Sequence, residues 1–275
     1  MPELPETETI ARDLDRALSG AMIVGVAVHR SDVLRDVTAA SLSRRAAGAR
    51  IERSYRRAKA VVIVLDTGDR IVVQPRFTGA LLIDDGTLPA EALTHIAVSF
   101  ALDDGRTLAY RDIRRLGTLS LMGAKRFAKF DAALGPEPLD PAFAPQHLSG
   151  ILRSSRQAVK KLLMDQRRVA GVGNIYANEA LWRAGIDPSR EARSVSHDEA
   201  AALHAGRTSV RREAIEARGT SFRDYRDASG ARGSFAGQLA VYGRGGLPCP
   251  RCGASLIDTS AIDGRTTVFC AWCQR

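Results

Sequence analysis

Val169-Ala170-Gly171-Val172-Gly173-Asn174, running on into Ile175-Tyr176-Ala177-Asn178-Glu179-Ala180-Leu181-Trp182-Arg183-Ala184-Gly185, sets the reading of this 275-residue chain. Two glycines one residue apart predict a tight turn, and the stretch from Asn174 to Ala184 has helical texture closed by Gly185. Upstream, 154–165 carries Val159, Leu162 and Leu163 at helical spacing, so the whole reads as helix, glycine turn, helix. A glycine turn that feeds a helix start can present bare backbone N–H groups to a phosphate. An ordinary helix connection looks the same, and the turn alone assigns no function.

Working outward, Ser196-His197-Asp198-Glu199 is a capping box that opens a long helix to about Ala217, ended by Gly219. On the other side, Gly135-Pro136-Glu137-Pro138-Leu139-Asp140-Pro141 and the nearby Pro145 place four of the 11 prolines within ten residues, which reads as an interdomain hinge. Before it, 23–28, 61–65, 71–73, 80–83, 96–102, 107–110 and 118–122 read as short strands, with turn signals such as Asp66-Thr67-Gly68-Asp69 and Asp103-Asp104-Gly105 between them. That pattern predicts an antiparallel sandwich or barrel. Ahead of the strands, 3–18 predicts a helix. Pro2 and Pro5 sit where a first turn tolerates proline, Glu3, Glu6 and Glu8 favour the positive dipole end, and Ile10, Leu14 and Leu18 form one apolar stripe. The reading is an α+β multidomain chain: 1–133 a β-sandwich with a leading helix, 134–149 the hinge, 150–225 a helical domain, and 226–275 a remainder that ends in a cysteine hairpin.

The four cysteines are Cys249, Cys252, Cys270 and Cys273, two C-x-x-C pairs separated by 17 residues. This spacing matches a four-thiolate Zn2+ site on two tight turns, closed and therefore structural, with no position left for an activated water. Two disulfides are the competing reading, disfavoured in a cytoplasmic chain. A cytoplasmic setting is expected because no apolar run approaches a membrane span and the polar, acidic start is unlike a signal peptide. The net charge of +9 is lopsided: residues 150–275 hold 20 Lys and Arg, 18 of them Arg, against 12 Asp and Glu. A basic region rich in Arg suits a polyanion, most often nucleic acid, although solvated Arg faces would give the same count.

Few residues look like ordinary catalysts. No Ser occupies a nucleophile elbow, and His29, His95, His147, His197 and His204 are scattered. If Met1 is removed, however, Pro2 exposes a secondary α-amine whose pKa lies about two to three units below that of a lysine. Such an amine can attack an electrophilic carbon and form an iminium ion, with Glu3 beside it to move a proton. Taken alone, the terminus reads first as an unremarkable helix start.

Met1-Pro2-Glu3-Leu4-Pro5-Glu6-Thr7-Glu8-Thr9, the 161–188 block KLLMDQRRVAGVGNIYANEALWRAGIDP, VYGRGGLPCPRC at 241–252 and the closing CAWCQR resemble, in order and over essentially the full chain, the bacterial formamidopyrimidine-DNA glycosylases. The resemblance implies a helix-two-turn-helix fold: an N-terminal β-sandwich, a helical domain and a zinc finger that grip double-stranded DNA carrying oxidised bases or abasic sites, as a monomer. It further implies that Pro2 attacks C1′ of the damaged nucleotide, that Glu3 assists ring opening and proton transfer, and that β,δ-elimination follows. Glu6 resembles a carboxylate that orders the site, and Lys59 the hairpin lysine near the lesion. Asn174 and Arg265 match a pair that holds the phosphates flanking the lesion, and Lys160 resembles another basic residue facing the damaged nucleotide. Residues 220–225, with Thr220, Phe222, Arg223, Asp224 and Tyr225, correspond to the loop that contacts an extruded base.

A base taken out of the stack leaves a gap that must be filled. Where the family carries Met, Arg and Phe, this chain offers Phe77, Arg114 and Leu116. Gln74-Pro75-Arg76-Phe77-Thr78-Gly79 replaces the usual His-Leu-Gly-Met segment, and Leu116 stands where Phe is customary. Gln74 also replaces a phosphate-binding His. These departures leave lesion preference and opposite-base discrimination open. The reading is a DNA glycosylase with AP-lyase activity on oxidised purines. Its rivals are an endonuclease VIII-like glycosylase for oxidised pyrimidines, disfavoured by GPEPL and the PELPE start, and a non-catalytic damaged-DNA binder, disfavoured by Pro2, Glu3 and Lys59.

Overall fold

The computed structural model describes residues 2–275; Met1, whose removal the Pro2 reading needs, lies outside the described residues. The chain forms two compact units, neither continuous in sequence. Among the described residues no helix is long and apolar enough to cross a membrane.

The first unit takes the chain up to Ala132 together with Ile215–Ala236. It contains α1 (Leu4–Leu18), β1 (Ile23–Val28), α2 (Ala39–Ala46), β2 (Ile51–Arg57), β3 (Ala60–Leu65), β4 (Arg70–Gln74), β5 (Gly79–Asp84), β6 (Ile96–Leu102), β7 (Thr107–Asp112), β8 (Thr118–Met122) and α3 (Ala124–Ala132). The strands make two antiparallel four-stranded sheets, ordered β1-β6-β7-β5 and β2-β3-β4-β8. Their inner faces share one core: Ile23, Leu81, Phe100, Leu108 and Tyr110 from one sheet meet Ile51, Val61, Ile63, Ile71 and Leu119 from the other, with Ile10, Leu14 and Leu18 of α1. This is the sandwich that the alternating strands and turns predict. β3 is buried at every position. Val61 and Ile63 belong to the sandwich core, whereas Ala60 and Val62 pack on Phe127 and Phe130 of α3 behind the sheet. The helices α2 and α3 and strand β2 escaped the sequence reading; β2 is too polar (Ile-Glu-Arg-Ser-Tyr-Arg-Arg) to carry a strand pattern.

Residues Ile215–Ala236 return to this unit through specific contacts. The Arg218 guanidinium bonds Asp227 (2.7 Å) and Asp13 of α1, and the Ile83 N–H donates to Ala228 O (2.8 Å).

The second unit comprises Ala133–Ala214 and Gly237–Arg275. It contains α4 (Pro145–Arg153), α5 (Val159–Leu163), α6 (Asn174–Ala184), α7 (His197–Glu216), β9 (Ile257–Thr259) and β10 (Thr267–Phe269). The helix read over 154–165 is instead the short α5, because α4 stops at Ser154 and the N–H groups of Val159 and Lys160 donate to Arg190 O and Pro188 O. The proline-rich stretch is not uniformly irregular either: Pro145 opens α4, where a missing N–H costs nothing. Gly135 and Ala170 tie that stretch to the glycine turn, through Gly135 N–H to Gln166 O (2.8 Å) and Ala170 N–H to Pro136 O (3.1 Å). The expected capping box of α7 is reciprocal, with Ser196 N–H to the Glu199 carboxylate (2.7 Å) and Glu199 N–H to Ser196 Oγ (3.2 Å).

Candidate active site

In the first unit the head of α1 gathers buried carboxylates. Glu3 and Glu6 are each 1% exposed and Pro2 is buried beside them. Glu6 Oε2 accepts the Glu3 N–H at 2.8 Å, and its other oxygen accepts the N–H of Thr220 at 2.8 Å. One side chain therefore fixes both the residue that follows Pro2 and the start of the 220–225 loop. Gly219 is required there: its φ is +90° and a Cβ would lie 3.0 Å from Glu6 Cγ and 2.9 Å from the Tyr225 ring. Tyr225 is buried against the same helix, its hydroxyl 3.4 Å from Glu6 O, and burial with the Glu6 charge nearby raises its pKa well above the ordinary range. Phe222 is exposed, so Thr220 and Tyr225 anchor the loop while its middle faces outward.

Lys59 sits in the two-residue turn of the β2–β3 hairpin, after Ala58 in left-handed backbone (φ 53°). That hairpin is tied to α1: Arg56 Nε donates to Glu8 at 2.7 Å, and Arg56 also donates to Ala58 O at 3.1 Å. The helix that follows Pro2-Glu3 thus also positions the lysine turn. The Gln74-to-Gly79 connection joins β4 to β5, and the Asp112-to-Thr118 connection joins β7 to β8. Phe77 and Leu116 are exposed on these two connections, and the Arg114 guanidinium lies 5.5 Å over the Phe77 ring.

In the second unit Asn174 begins α6 and its side chain donates to Thr266 O at 2.9 Å, beside Arg265. The structure thereby brings Asn174 and the Arg265 loop together. Gln166 holds the glycine turn, accepting Gly171 N–H at 2.9 Å and donating to Val172 O at 2.8 Å. Lys160 departs from the expectation of a residue facing DNA. It is fully buried, with its ammonium 2.8 Å from Thr267 Oγ1 and 3.3 Å from both Asp263 Oδ1 and Thr266 O. A buried ammonium needs such partners, and these fix it beneath the 263–267 loop instead of on a phosphate. Glu179, overlooked in the sequence, is also fully buried. Its carboxylate accepts N–H groups from Ala240, Val241 and Tyr242 at 2.8–3.0 Å, fastening α6 to the chain that enters the cysteine hairpin.

The four cysteine sulfurs lie within 4.8 Å of one another, and none is in a disulfide. Cys249 and Cys273 sulfurs are 4.0 Å apart, and those of Cys252 and Cys270 are 3.5 Å apart. A tetrahedron with Zn–S bonds of ~2.3 Å has edges of ~3.8 Å, so this donor set fits one structural Zn2+. The hairpin of β9 and β10 has only three residues per strand, too few to hold itself. Zinc would supply the missing folding energy there.

Three family descriptions match in order: the formamidopyrimidine-DNA glycosylase N-terminal domain over residues 1–119, its H2TH domain over 134–226, and a zinc finger found in FPG and IleRS over 246–275. The chain belongs to the formamidopyrimidine-DNA glycosylase family. The enzyme so named from Desulforamulus reducens is 41% identical over 100% of this chain and 99% of its own. That from Xanthomonas campestris is 42% identical, with both chains fully covered. Among solved structures, the MutM (FPG) protein of Thermus thermophilus superposes with a TM-score of 0.86 at 38% identity, covering 99% of this chain and 98% of that one. Lactococcus lactis Fpg in complex with DNA containing an abasic site gives 0.90 at 30% identity, covering 99% of each chain.

Proposed function

We propose that this chain is a bifunctional DNA glycosylase/AP lyase of base excision repair that removes oxidised purines, 8-oxoguanine and formamidopyrimidines among them, from double-stranded DNA. The supporting observation is the buried carboxylate pair at the head of α1, where Glu6 bridges the N–H groups of Glu3 and Thr220. It prepares the start of the chain for chemistry and joins it to the loop expected to meet the extruded base. After loss of Met1, the Pro2 nitrogen forms a bond to C1′ of the damaged nucleotide as the bond from C1′ to the base breaks, and the base leaves with a proton. Glu3 serves the proton transfers that open the sugar. The resulting iminium acidifies C2′; removal of a C2′ proton expels the 3′ phosphate, and a second elimination expels the 5′ phosphate. Lys59 would attend the lesion phosphate, and Asn174 and Arg265 the flanking phosphates. Lys160 acts by holding the Arg265 loop in place. We take the enzyme to work as a monomer on chromosomal DNA in the cytoplasm.

Borohydride trapping on duplexes carrying 8-oxoguanine, a formamidopyrimidine, thymine glycol or an abasic site tests this reading. The processed protein should form a covalent adduct, Pro2→Gly should abolish it, and Glu3→Gln should strongly reduce base release. Wild-type rates in both variants would defeat the mechanism, and a preference for thymine glycol would replace the purine reading by the pyrimidine one.

A further inference from the structure

The two connections that carry Phe77, Arg114 and Leu116 run side by side by topology. β4 pairs with β8 so that Gln74 faces Thr118, and β5 pairs with β7 so that Gly79 faces Asp112. Each connection therefore leaves one sheet and enters the other at the same end of the sandwich. Between them lies a buried polar hub. Asp112 is 1% exposed; one carboxylate oxygen accepts the Thr78 hydroxyl at 2.6 Å, and the other accepts Gly117 N–H at 2.7 Å and the Tyr110 hydroxyl at 3.2 Å. The Thr78 oxygen in turn accepts the Arg114 N–H at 3.0 Å. The single hydroxyl thus donates to one end of the β7–β8 connection and accepts from its middle. Gly117 is closed in by the same hub: a Cβ there would stand 2.2 Å from the Tyr110 hydroxyl and 2.7 Å from Gln74 O.

We propose that Asp112, acting through the Thr78 hydroxyl, is a positioning residue that fuses the two connections into one rigid wedge, so that Phe77, Arg114 and Leu116 enter a duplex as a unit. The inference rests on the wedge reading of those three residues. Parting stacked bases costs a few kcal/mol per step. Two independent surface loops would bend under that load, whereas loops sharing a buried, charge-assisted network transmit it to the sheets. These hydrogen bonds of the hub run within β7 and the two connections, so its loss should slow opening of the stack and spare the chemistry.

The test compares Thr78→Val, Thr78→Ser and Phe77→Ala on two substrates: a duplex with 8-oxoguanine opposite cytosine, and the same duplex with an abasic site, which has no base to extrude. Thr78→Val removes two hydrogen bonds, one of them to the charged Asp112. It should slow base release by at least about tenfold, while abasic-site trapping stays within about twofold. Thr78→Ser, which keeps the hydroxyl, should restore base release. A 2-aminopurine placed beside the lesion should report slower unstacking with Thr78→Val and not with Thr78→Ser. Equal losses on both substrates, or no rescue by serine, would overturn the proposal in favour of a merely structural role. If Phe77→Ala slows base release and Thr78→Val does not, the hub inference alone fails. If Phe77→Ala is indistinguishable from wild type, the wedge reading fails and the inference falls with it.

Discussion

Replacing Glu6 by Gln isolates the contact on which the candidate active site turns. The wild-type carboxylate accepts two backbone N–H groups at 2.8 Å, from Glu3 and from Thr220, in a site that is 1% exposed. Glutamine has nearly the same shape but only one acceptor oxygen. Whichever N–H the oxygen serves, the amide NH2 is turned against the other, a donor facing a donor. Loss of one buried hydrogen bond to a charged group costs about 1.5–3 kcal/mol. Because the affected segments are a helix start and a loop, the cost should appear as local opening more than as global unfolding. At 1.4 kcal/mol per factor of ten, amide exchange at Glu3 or Thr220 should quicken roughly 10- to 100-fold. Hydrogen-exchange mass spectrometry on peptides spanning 2–10 and 216–226, at a fixed pH, reads this directly. Strands β3 and β4 should exchange as in the wild type. Exchange within twofold of wild type in both peptides, with an unchanged thermal midpoint, would show that Glu6 does not join the chain start to the loop.

Two further outcomes follow from buried charge and from the zinc hairpin. Arg207 is 1% exposed, its guanidinium nitrogens have no hydrogen-bond partner among the described residues, and its charge lies 4.6 Å over the Phe143 ring; burial pulls its pKa down to about 9. Its folded pKa is below the unfolded one, so the penalty is present in full below pH 9 and relaxes as pH rises through 9. Arg207→Met should therefore raise the unfolding free energy at pH 7 by about 1–3 kcal/mol in urea melts, and a loss of stability would refute the account. Removing zinc with a chelator should loosen the loop that carries Arg265. The slope of log K against log salt for duplex binding should then fall by about 0.9 for each phosphate that is no longer neutralised. An unchanged slope after complete metal removal would show that the hairpin does not position Arg265.

Much of the fold was legible because the relevant signals are local. Short apolar runs broken by Asp- and Gly-bearing turns mark the sandwich strands, the Ser196–Glu199 box marks α7, and the cysteine spacing marks a metal hairpin. What stayed hidden is decided by tertiary contact. β2 is polar along its length and is a strand because β3 pairs with it and Arg56 reaches Glu8. Residues 154–158 look as helical as 159–163, yet the Val159 and Lys160 N–H groups go to Arg190 and Pro188. Burial of Lys160 and Glu179 is equally unreadable, since in sequence both look like ordinary solvated residues of an amphipathic helix.

The candidate site shows the same division in its backbone. The cysteines announce themselves by residue type and spacing, and Pro2 and Glu3 by the resemblance of the first nine residues to the family. The turns that carry other candidates do not, for among the described residues six non-glycine residues hold positive φ, and four of them stand directly before a candidate residue or its glycine. Ala58 (φ 53°) precedes Lys59, Arg76 (52°) precedes Phe77, Arg115 (52°) precedes Leu116, and Arg218 (59°) precedes Gly219 and Thr220. A side chain in this region costs of order 1–3 kcal/mol, and it persists only where the surroundings over-determine it. Here they do: Arg57 pairs with Ala60 across the first turn, Gln74 with Thr118 and Gly79 with Asp112 across the next two, and Arg218 is held by Asp13 and Asp227. Glycine at these positions would remove the strain and with it the constraint that aims the following side chain. An alanine or arginine in left-handed backbone leaves no mark in composition or periodicity, so the positions that aim Lys59, Phe77 and Leu116 are the ones that sequence alone conceals.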